Sequence, residues 1–165
     1  MVNVKTVAVA VMLALALGFI AFRFWPSDER AIRKQLALIE EAGSKEPTEK
    51  PIQALVKAKQ LAGLFHDPCR LEVEAVDSAG EYPRKQIMDR ITLVRASYTR
   101  ASVSLHDVVV DIPQDATAVV HCTIRVQGEG TSQPVADVQE LRADLRKIEG
   151  EWLFTAIRLV EVLER

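Results

Sequence analysis

A strict two-residue alternation along residues 116–126 constrains this chain more than any other feature. Its small and apolar residues occupy every second position: Ala116, Ala118, Val120, Cys122, Ile124 and Val126. Polar residues fill most of the positions between them, among them Thr117, His121 and Arg125. A period of two predicts an antiparallel strand with one buried and one solvated face, so another layer must cover the apolar side.

The surrounding third of the chain, residues 103–162, indicates a meander of four such strands. In the first, residues 103–112, the alternation changes phase near His106 and Asp107, which predicts a bulge. A tight turn is expected at Glu149-Gly150. The last strand, from Trp152 to Val162, is apolar on both faces and is therefore predicted to be well covered.

Three helices are predicted before the meander, and they are the natural cover for its apolar face. The first spans about 28–42, the second about 52–65 and the third about 83–99, with a short strand at 69–76 and a loop at 77–80. On the third helix, Ile87, Ile91, Val94 and Tyr98 form the expected apolar stripe. Its basic side chains are interpreted as a solvated outer face: Arg84, Lys85, Arg90, Arg95 and Arg100.

The amino-terminal residues 1–25 are predicted to be a transmembrane signal anchor, with residues 6–25 in the bilayer. No charge occurs in residues 6–22, and a helix of that length covers about 26 Å, close to the apolar thickness of a membrane. A cleaved signal peptide is the alternative. We expect a single-pass protein of the cytoplasmic (inner) membrane, with residues 26–165 as one domain on the periplasmic, extracytoplasmic side.

Composition excludes several kinds of site. Lys and Arg number 21 and Asp and Glu 23, so no basic surface for nucleic acid is expected. His66, His106 and His121 have no metal-ligand spacing, and no glycine-rich phosphate loop occurs, so neither a metal nor a cofactor is predicted. Cys69 and Cys122 are either two buried thiols or, in an oxidising compartment, one disulfide.

The order of elements is α+β and resembles the nuclear transport factor 2-like (NTF2-like, or SnoaL-like) superfamily. The segments that carry the resemblance are residues 64–68 (LFHDP), 83–87 (PRKQI) and 148–154 (IEGEWLF). It implies a cone in which three helices pack on a curved, mostly antiparallel sheet. Members of this superfamily use the enclosed pocket for isomerisation, dehydration or ligand binding, or fill it and bind partners through the outer sheet.

The catalytic residues of the steroid isomerases with this fold are not matched, because the first of them is missing. Those enzymes use an Asp base with a Tyr and a protonated Asp as oxyanion donors, and the first helix here contains no Tyr. The candidate pocket residues are Tyr98, Asp107, Asp137 and Trp152, and Asp137 shares the inward parity of Leu141.

Two functions are therefore predicted. The first is non-catalytic binding or assembly of a protein partner or small apolar ligand, with a homodimer through the outer sheet face as one form of it. The alternative is a SnoaL-like isomerase or dehydratase acting on a small apolar substrate. A cone interior filled by Trp152, Phe154, Leu141 and Phe65 would favour the first.

Overall fold

The computed structural model describes residues 28–74, 78–130 and 134–161, which form three helices and six strands. In chain order these are α1 (Asp28–Gly43), α2 (Pro51–Gly63), β1 (Phe65–Val73), β2 (Ser78–Tyr82), α3 (Arg84–Ala96), β3 (Tyr98–Gln114), β4 (Thr117–Gly130), β5 (Pro134–Ile148) and β6 (Glu151–Glu161). The predicted α+β architecture is confirmed.

All six strands belong to one sheet with the order β2-β1-β6-β5-β4-β3. Strands β3 to β6 form the predicted antiparallel meander. Strand β1 pairs parallel with β6, and β2 pairs antiparallel with β1 at the sheet edge. The prediction of a loop at 77–80 is wrong for residues 78–80, because they start this short edge strand.

The core lies between the helices and one face of the sheet, which we call the inner face. As the alternation predicts, Val120 of β4 is fully buried, and it shares this face with Leu145 of β5. Helix α1 contributes Ile32 and Leu36, one turn apart, to the same cluster. Burial of these apolar side chains is the main force that holds α1 on the sheet.

Strand β6 has apolar residues at both odd and even positions because its pairing with β5 is irregular at one point. Its register with β5 shifts between Asp144 and Leu145, and the Thr155 hydroxyl donates a hydrogen bond to the Asp144 carbonyl at 3.0 Å. The extra residue reverses the alternation, so Phe154 and Ile157 both belong to the inner-face core. The sequence pattern therefore reflects one inner face with a change of phase.

Several predicted element boundaries move, including the end of α2, which is Gly63 rather than about 65, and the start of β1, which is Phe65 rather than 69. Helix α3 ends at Ala96, and Tyr98 is the first residue of β3, so its place on the helical stripe was wrong. The bulge near His106 is confirmed, because the β3–β4 register shifts between His106 and Val109 and Asp107 has a φ of 54°. Glu149 and Gly150 both have positive φ, as a tight hairpin turn requires.

None of the helices formed by the described residues is long and apolar enough to cross a membrane. The predicted anchor, residues 1–25, lies outside the described residues.

Candidate functional site

The interior of the cone is packed with apolar side chains. Trp152, Phe154, Leu145 and Val120 are each at most 2% exposed. The rings of Phe65 and Phe154 lie 5.9 Å apart and tilted, a normal packing arrangement. Among the described residues, Arg95 is the only polar or charged residue that is buried, and it lies at the ends of the helices. The interior therefore lacks the converging polar groups that a reaction chamber needs.

Trp152 is held by hydrogen bonds at one end of the inner face. Its Nε1–H donates to Asp28 Oδ1 at 3.0 Å, and Lys147 Nζ donates to the same oxygen at 2.6 Å. Hydrogen bonds from Lys147 and then Trp152 lower the pKa of Asp28 below its ordinary value. Gln35 of α1 also donates to the Trp152 carbonyl. Trp152 thus joins the start of α1 to the β5–β6 hairpin.

The other three predicted pocket residues do not meet around Trp152. Asp137 keeps the inward parity, since it pairs with Val126, but it is exposed and accepts a hydrogen bond from Gln139 at 2.7 Å. Tyr98 packs on Gly128 at the same end of the sheet, far along β4 from the hairpin of Trp152.

Asp107 lies on the opposite face of the sheet from the core. It is exposed and lines a shallow concavity of about 360 Å³ with His121 and Arg142. The four predicted pocket residues are therefore spread over two faces and two ends of the sheet.

Of the two alternatives for the cysteines, the structure has two buried thiols and no disulfide. Cys69 and Cys122 are both free and buried. They lie on β1 and β4, which β6 and β5 separate, so three strand spacings of about 4.8 Å keep the sulfurs apart. Burial raises the pKa of each thiol to about 11, with a further contribution from the charge of Glu40 at Cys122. Both thiols are therefore poor nucleophiles at neutral pH.

A buried ionic cluster lies at the other end of the helices, and the sequence analysis missed it. Arg95 is 6% exposed, and its Nη2 donates to both carboxylate oxygens of Glu49, at 2.6 and 2.9 Å. Its Nη1 donates to the carbonyls of Ala42 and Gly43 at the end of α1. Lys57 Nζ donates to Glu49 at 2.9 Å. We call Arg95, Glu49 and Lys57 the helix-end cluster.

The helix-end cluster corrects the prediction that Arg95 belongs to a solvated basic face. Its spacing carried a signal, because Ile87, Ile91 and Arg95 follow one another at intervals of four along one side of α3. The cluster binds α1, α2 and α3 together through charge-assisted hydrogen bonds. This arrangement indicates a structural role.

The face of the sheet opposite the helices, which we call the outer face, carries charges of both signs. One row across five strands consists of Val109, His121, Arg142, Arg158 and Glu72, which the strand register places side by side. Arg158 pairs with Glu72 at 3.1 Å. Arg142 lies 3.5 Å from Asp144 in the neighbouring row. Among the described residues, no element covers this face, and no group of three potential metal ligands occurs.

The free edge of β3 is partly closed by α1 and the loop after it. Lys45 exchanges two backbone hydrogen bonds with Ala101. The Ser44 hydroxyl accepts from the Val103 N–H at 3.0 Å, and the Glu40 carboxylate accepts from the Leu105 N–H at 2.7 Å. Covering an edge in this way prevents strand addition there. The outer face, rather than this part of the edge, is the surface of the sheet open to a partner.

Comparison with known proteins gives similarity at the level of the fold. No protein-family model and no curated protein matches the chain. Many solved structures do, including an NTF2-like protein with a cystatin-like fold from Novosphingobium aromaticivorans (TM-score 0.63, 16% identity, 100% of this chain and 94% of that one). A candidate scytalone dehydratase from the same organism has a TM-score of 0.66 at 14% identity and covers 82% of this chain and 85% of its own.

A third similar structure is a candidate dehydratase of the NTF2-like family from Streptomyces avermitilis. Its TM-score is 0.63 at 16% identity, over 81% of this chain and 95% of that one. Three helices on the inner face of a six-stranded, mostly antiparallel sheet agree with these comparisons. The chain therefore has the NTF2-like, cystatin-like fold.

Proposed function

We propose that this chain is a non-catalytic binding module, tethered to the outer side of the cytoplasmic membrane by residues 6–25, which engages a protein partner through its outer face. The observation that carries the proposal is the packed interior. Where Trp152, Phe154, Leu141 and Leu145 fill the cone, a substrate has no chamber to enter. The proposed tether also favours a binding module, because it concentrates the domain at a surface.

The outer face supports the second part of the proposal. Basic and acidic side chains alternate on it, with Arg142 beside Asp144 and Arg158 beside Glu72. A surface on which basic and acidic side chains lie side by side can pair with a partner surface that carries the same arrangement of charges. The simplest such partner is a second copy of this chain. Val109, 52% exposed in the same row, adds apolar area to the contact.

A photo-crosslinking experiment tests the proposal. A photoreactive phenylalanine analogue replaces His121 on the outer face, and in a control chain it replaces Glu41, which is exposed on α1. Irradiation of intact cells is expected to give a discrete protein adduct from position 121 and none from position 41. Equal adducts at both positions, or none at either, would contradict the assignment of the outer face.

The second candidate is an isomerase or dehydratase acting on a small apolar substrate, which the names of two similar structures favour. It requires an interior that opens to admit a ligand. Thermal unfolding of the unmodified chain with small aromatic compounds such as indole and 2-naphthol separates the two functions. A packed interior predicts an unchanged midpoint, whereas a saturable rise in the midpoint without an adduct at position 121 would favour the enzyme.

A further inference from the structure

Apolar side chains are exposed on one part of the helical layer. Seven large apolar side chains of the described residues are exposed, and five of them belong to α2 and α3: Ile52 (71%), Leu55 (55%), Val56 (51%), Leu93 (72%) and Val94 (57%). We call these five the helix-face patch. Such a concentration differs from apolar residues scattered singly over a surface, which need no explanation.

The helix-end cluster brings the two halves of the patch to the same end of the molecule. Glu49, just before α2, pairs with Arg95 in the last turn of α3. Ile52 and Val56 are one helical turn apart on α2, on the side away from the buried Ala58 and Leu61. Exposed apolar side chains from both helices therefore lie near this end. The apolar stripe predicted for α3 was wrong in including Val94, which is 57% exposed.

The helices that carry the patch are basic, although the whole chain has a formal net charge of −2. Helices α2 and α3 have six basic residues and a single acidic one, Asp89. Arg95 and Lys57 neutralise Glu49, and Lys85 pairs with Asp89 at 3.3 Å. Of the remaining basic side chains, Lys59 and Arg90 lie about one helical turn from Val56 and Leu93, whereas Arg84 is at the other end of α3. The loop before α2 adds one further acidic residue, Glu46, and one further basic residue, Lys50. Exposed apolar residues with an excess of Lys and Arg match the composition of surfaces that lie on anionic membranes.

We propose that the helix-face patch docks on the surface of an anionic lipid bilayer, which is the membrane that holds the anchor; this inference rests on the proposed tether. Helix α1 begins at Asp28, just after the anchor and its short linker, and is about 24 Å long. Its far end contacts Arg95, beside the patch. A domain held at both ends of α1 lies with its helical layer on the bilayer, and its outer face then points away from the lipid toward a partner.

Fluorescence quenching in vesicles tests the docking with the full chain. An environment-sensitive fluorophore is attached to Leu93→Cys in the patch, and in a control chain to Val109→Cys on the outer face, which is similarly exposed. The native thiols are buried, and their raised pKa of about 11 limits their labelling. The vesicles contain phosphatidylcholine with or without phosphatidylglycerol, and a lipid carrying a nitroxide near its headgroup is the quencher.

The expected result is strong quenching at position 93 and little at position 109. Quenching at 93 should be roughly threefold or more greater with phosphatidylglycerol than without it, and should weaken as salt is added, because the basic residues are screened. Equal quenching at the two positions overturns the proposal. Protection of the label at 93 that depends on protein concentration and not on lipid also overturns it, since a second copy would then cover the patch.

The same samples separate failure of the docking from failure of the tether. Flotation of the vesicles after an alkaline carbonate wash reports whether the chain is inserted through residues 6–25. A chain that floats but shows no preferential quenching at 93 retains the tether and disproves the docking. A chain that the wash releases disproves the tether, and quenching measured before the wash then decides whether the patch binds lipid without it.

Discussion

Arg95 is the residue on which the packing of all three helices depends. Its guanidinium donates to the end of α1 and to Glu49 before α2, while its backbone belongs to α3. The Glu49 side chain is 3% exposed, so both charges of the pair are removed from water. Loss of one partner from such a pair is far more costly than loss of an exposed pair, because the remaining charge stays buried without compensation.

The substitution Glu49→Ala should therefore lower the free energy of unfolding by about 3 kcal/mol. The matched control is Asp89→Ala, which removes the acidic partner of Lys85 on α3, where the two side chains are 82% and 57% exposed. Its expected cost is below about 0.5 kcal/mol. Urea unfolding of the full chain in detergent micelles, followed by circular dichroism, measures both. Similar losses in the two variants would show that the helix-end cluster contributes no more than a surface pair.

The burial of a single residue could be predicted only where its side chain is apolar and fits the hydrophobic periodicity of its element. Ile32 and Leu36 follow an unbroken helical stripe and are buried as expected. Arg95 occupies the next position of the stripe formed by Ile87 and Ile91, but a charged side chain normally indicates solvent. Its place inside depends on Glu49, 46 positions away, and local periodicity carries no information about that partner.

At the scale of elements, the start of β3 depends on close packing between two strands. A Cβ added to Gly128 of β4 would lie 2.6 Å from Tyr98 Cδ1 on β3, near the fixed base of the ring. The ring cannot yield without shifting its strand. Gly128→Ala should therefore lower the free energy of unfolding by about 2 kcal/mol, as overpacking does. Because the contact is with one side chain, this cost should largely disappear in the Tyr98→Ala background.

The control for this prediction is Gly63→Ala at the end of α2, where an added Cβ meets nothing within 4 Å. That change should be neutral or slightly stabilising, since alanine restricts the unfolded chain more than glycine does. Thermal unfolding of the unmodified chain, Gly128→Ala, Tyr98→Ala and the double variant measures the coupling, and Gly63→Ala is compared with the unmodified chain. An equal cost of Gly128→Ala with and without Tyr98 would argue against the contact.

Element types were predictable because hydrophobic periodicity is a local property, whereas some boundaries were not. The alternation of β4 predicted its inner face, and the bulge near His106 was visible as a change of phase. Tyr98 fitted the stripe of α3 but begins β3, where Gly128 leaves space for its ring. Edge strand β2 was missed because its five residues include Gly80 and are followed by Pro83, which leaves too little pattern to distinguish a strand from a loop.

At the scale of the whole molecule, the sequence predicted a helical layer on a sheet, but it did not predict which residues lie together at a site. Pocket prediction from parity placed Asp137 on the inner face correctly, but that face extends past the core and Asp137 lies in solvent. The helix-face patch was missed because its apolar residues recur at helical spacing, as core residues do, although they are exposed. Whether an apolar helix position is covered depends on how the helices pack together, which is a property of the assembled domain.

The stability of the whole domain should also depend on acid through the helix-end cluster. Burial opposes ionisation of Glu49, but hydrogen bonds from Lys57 and Arg95 outweigh it and hold the pKa of Glu49 below its ordinary value of 4.5. A carboxylate with a lowered pKa in the folded state stabilises it above the unfolded pKa, and this contribution is lost as the pH falls through the folded pKa. The unmodified chain should therefore lose stability below about pH 4.5 as Glu49 is protonated.

In Glu49→Gln this titration is absent, so the difference in unfolding free energy between the two chains should be largest near pH 7 and shrink below pH 4.5. Urea unfolding at a series of pH values measures the difference directly. A difference that stays constant from pH 7 to pH 3 would mean that Glu49 acts by shape and hydrogen bonding alone. Since the cluster is the point at which α1, α2 and α3 meet, its protonation should weaken the contacts among the helices, and circular dichroism at the same pH values should report a loss of helical signal.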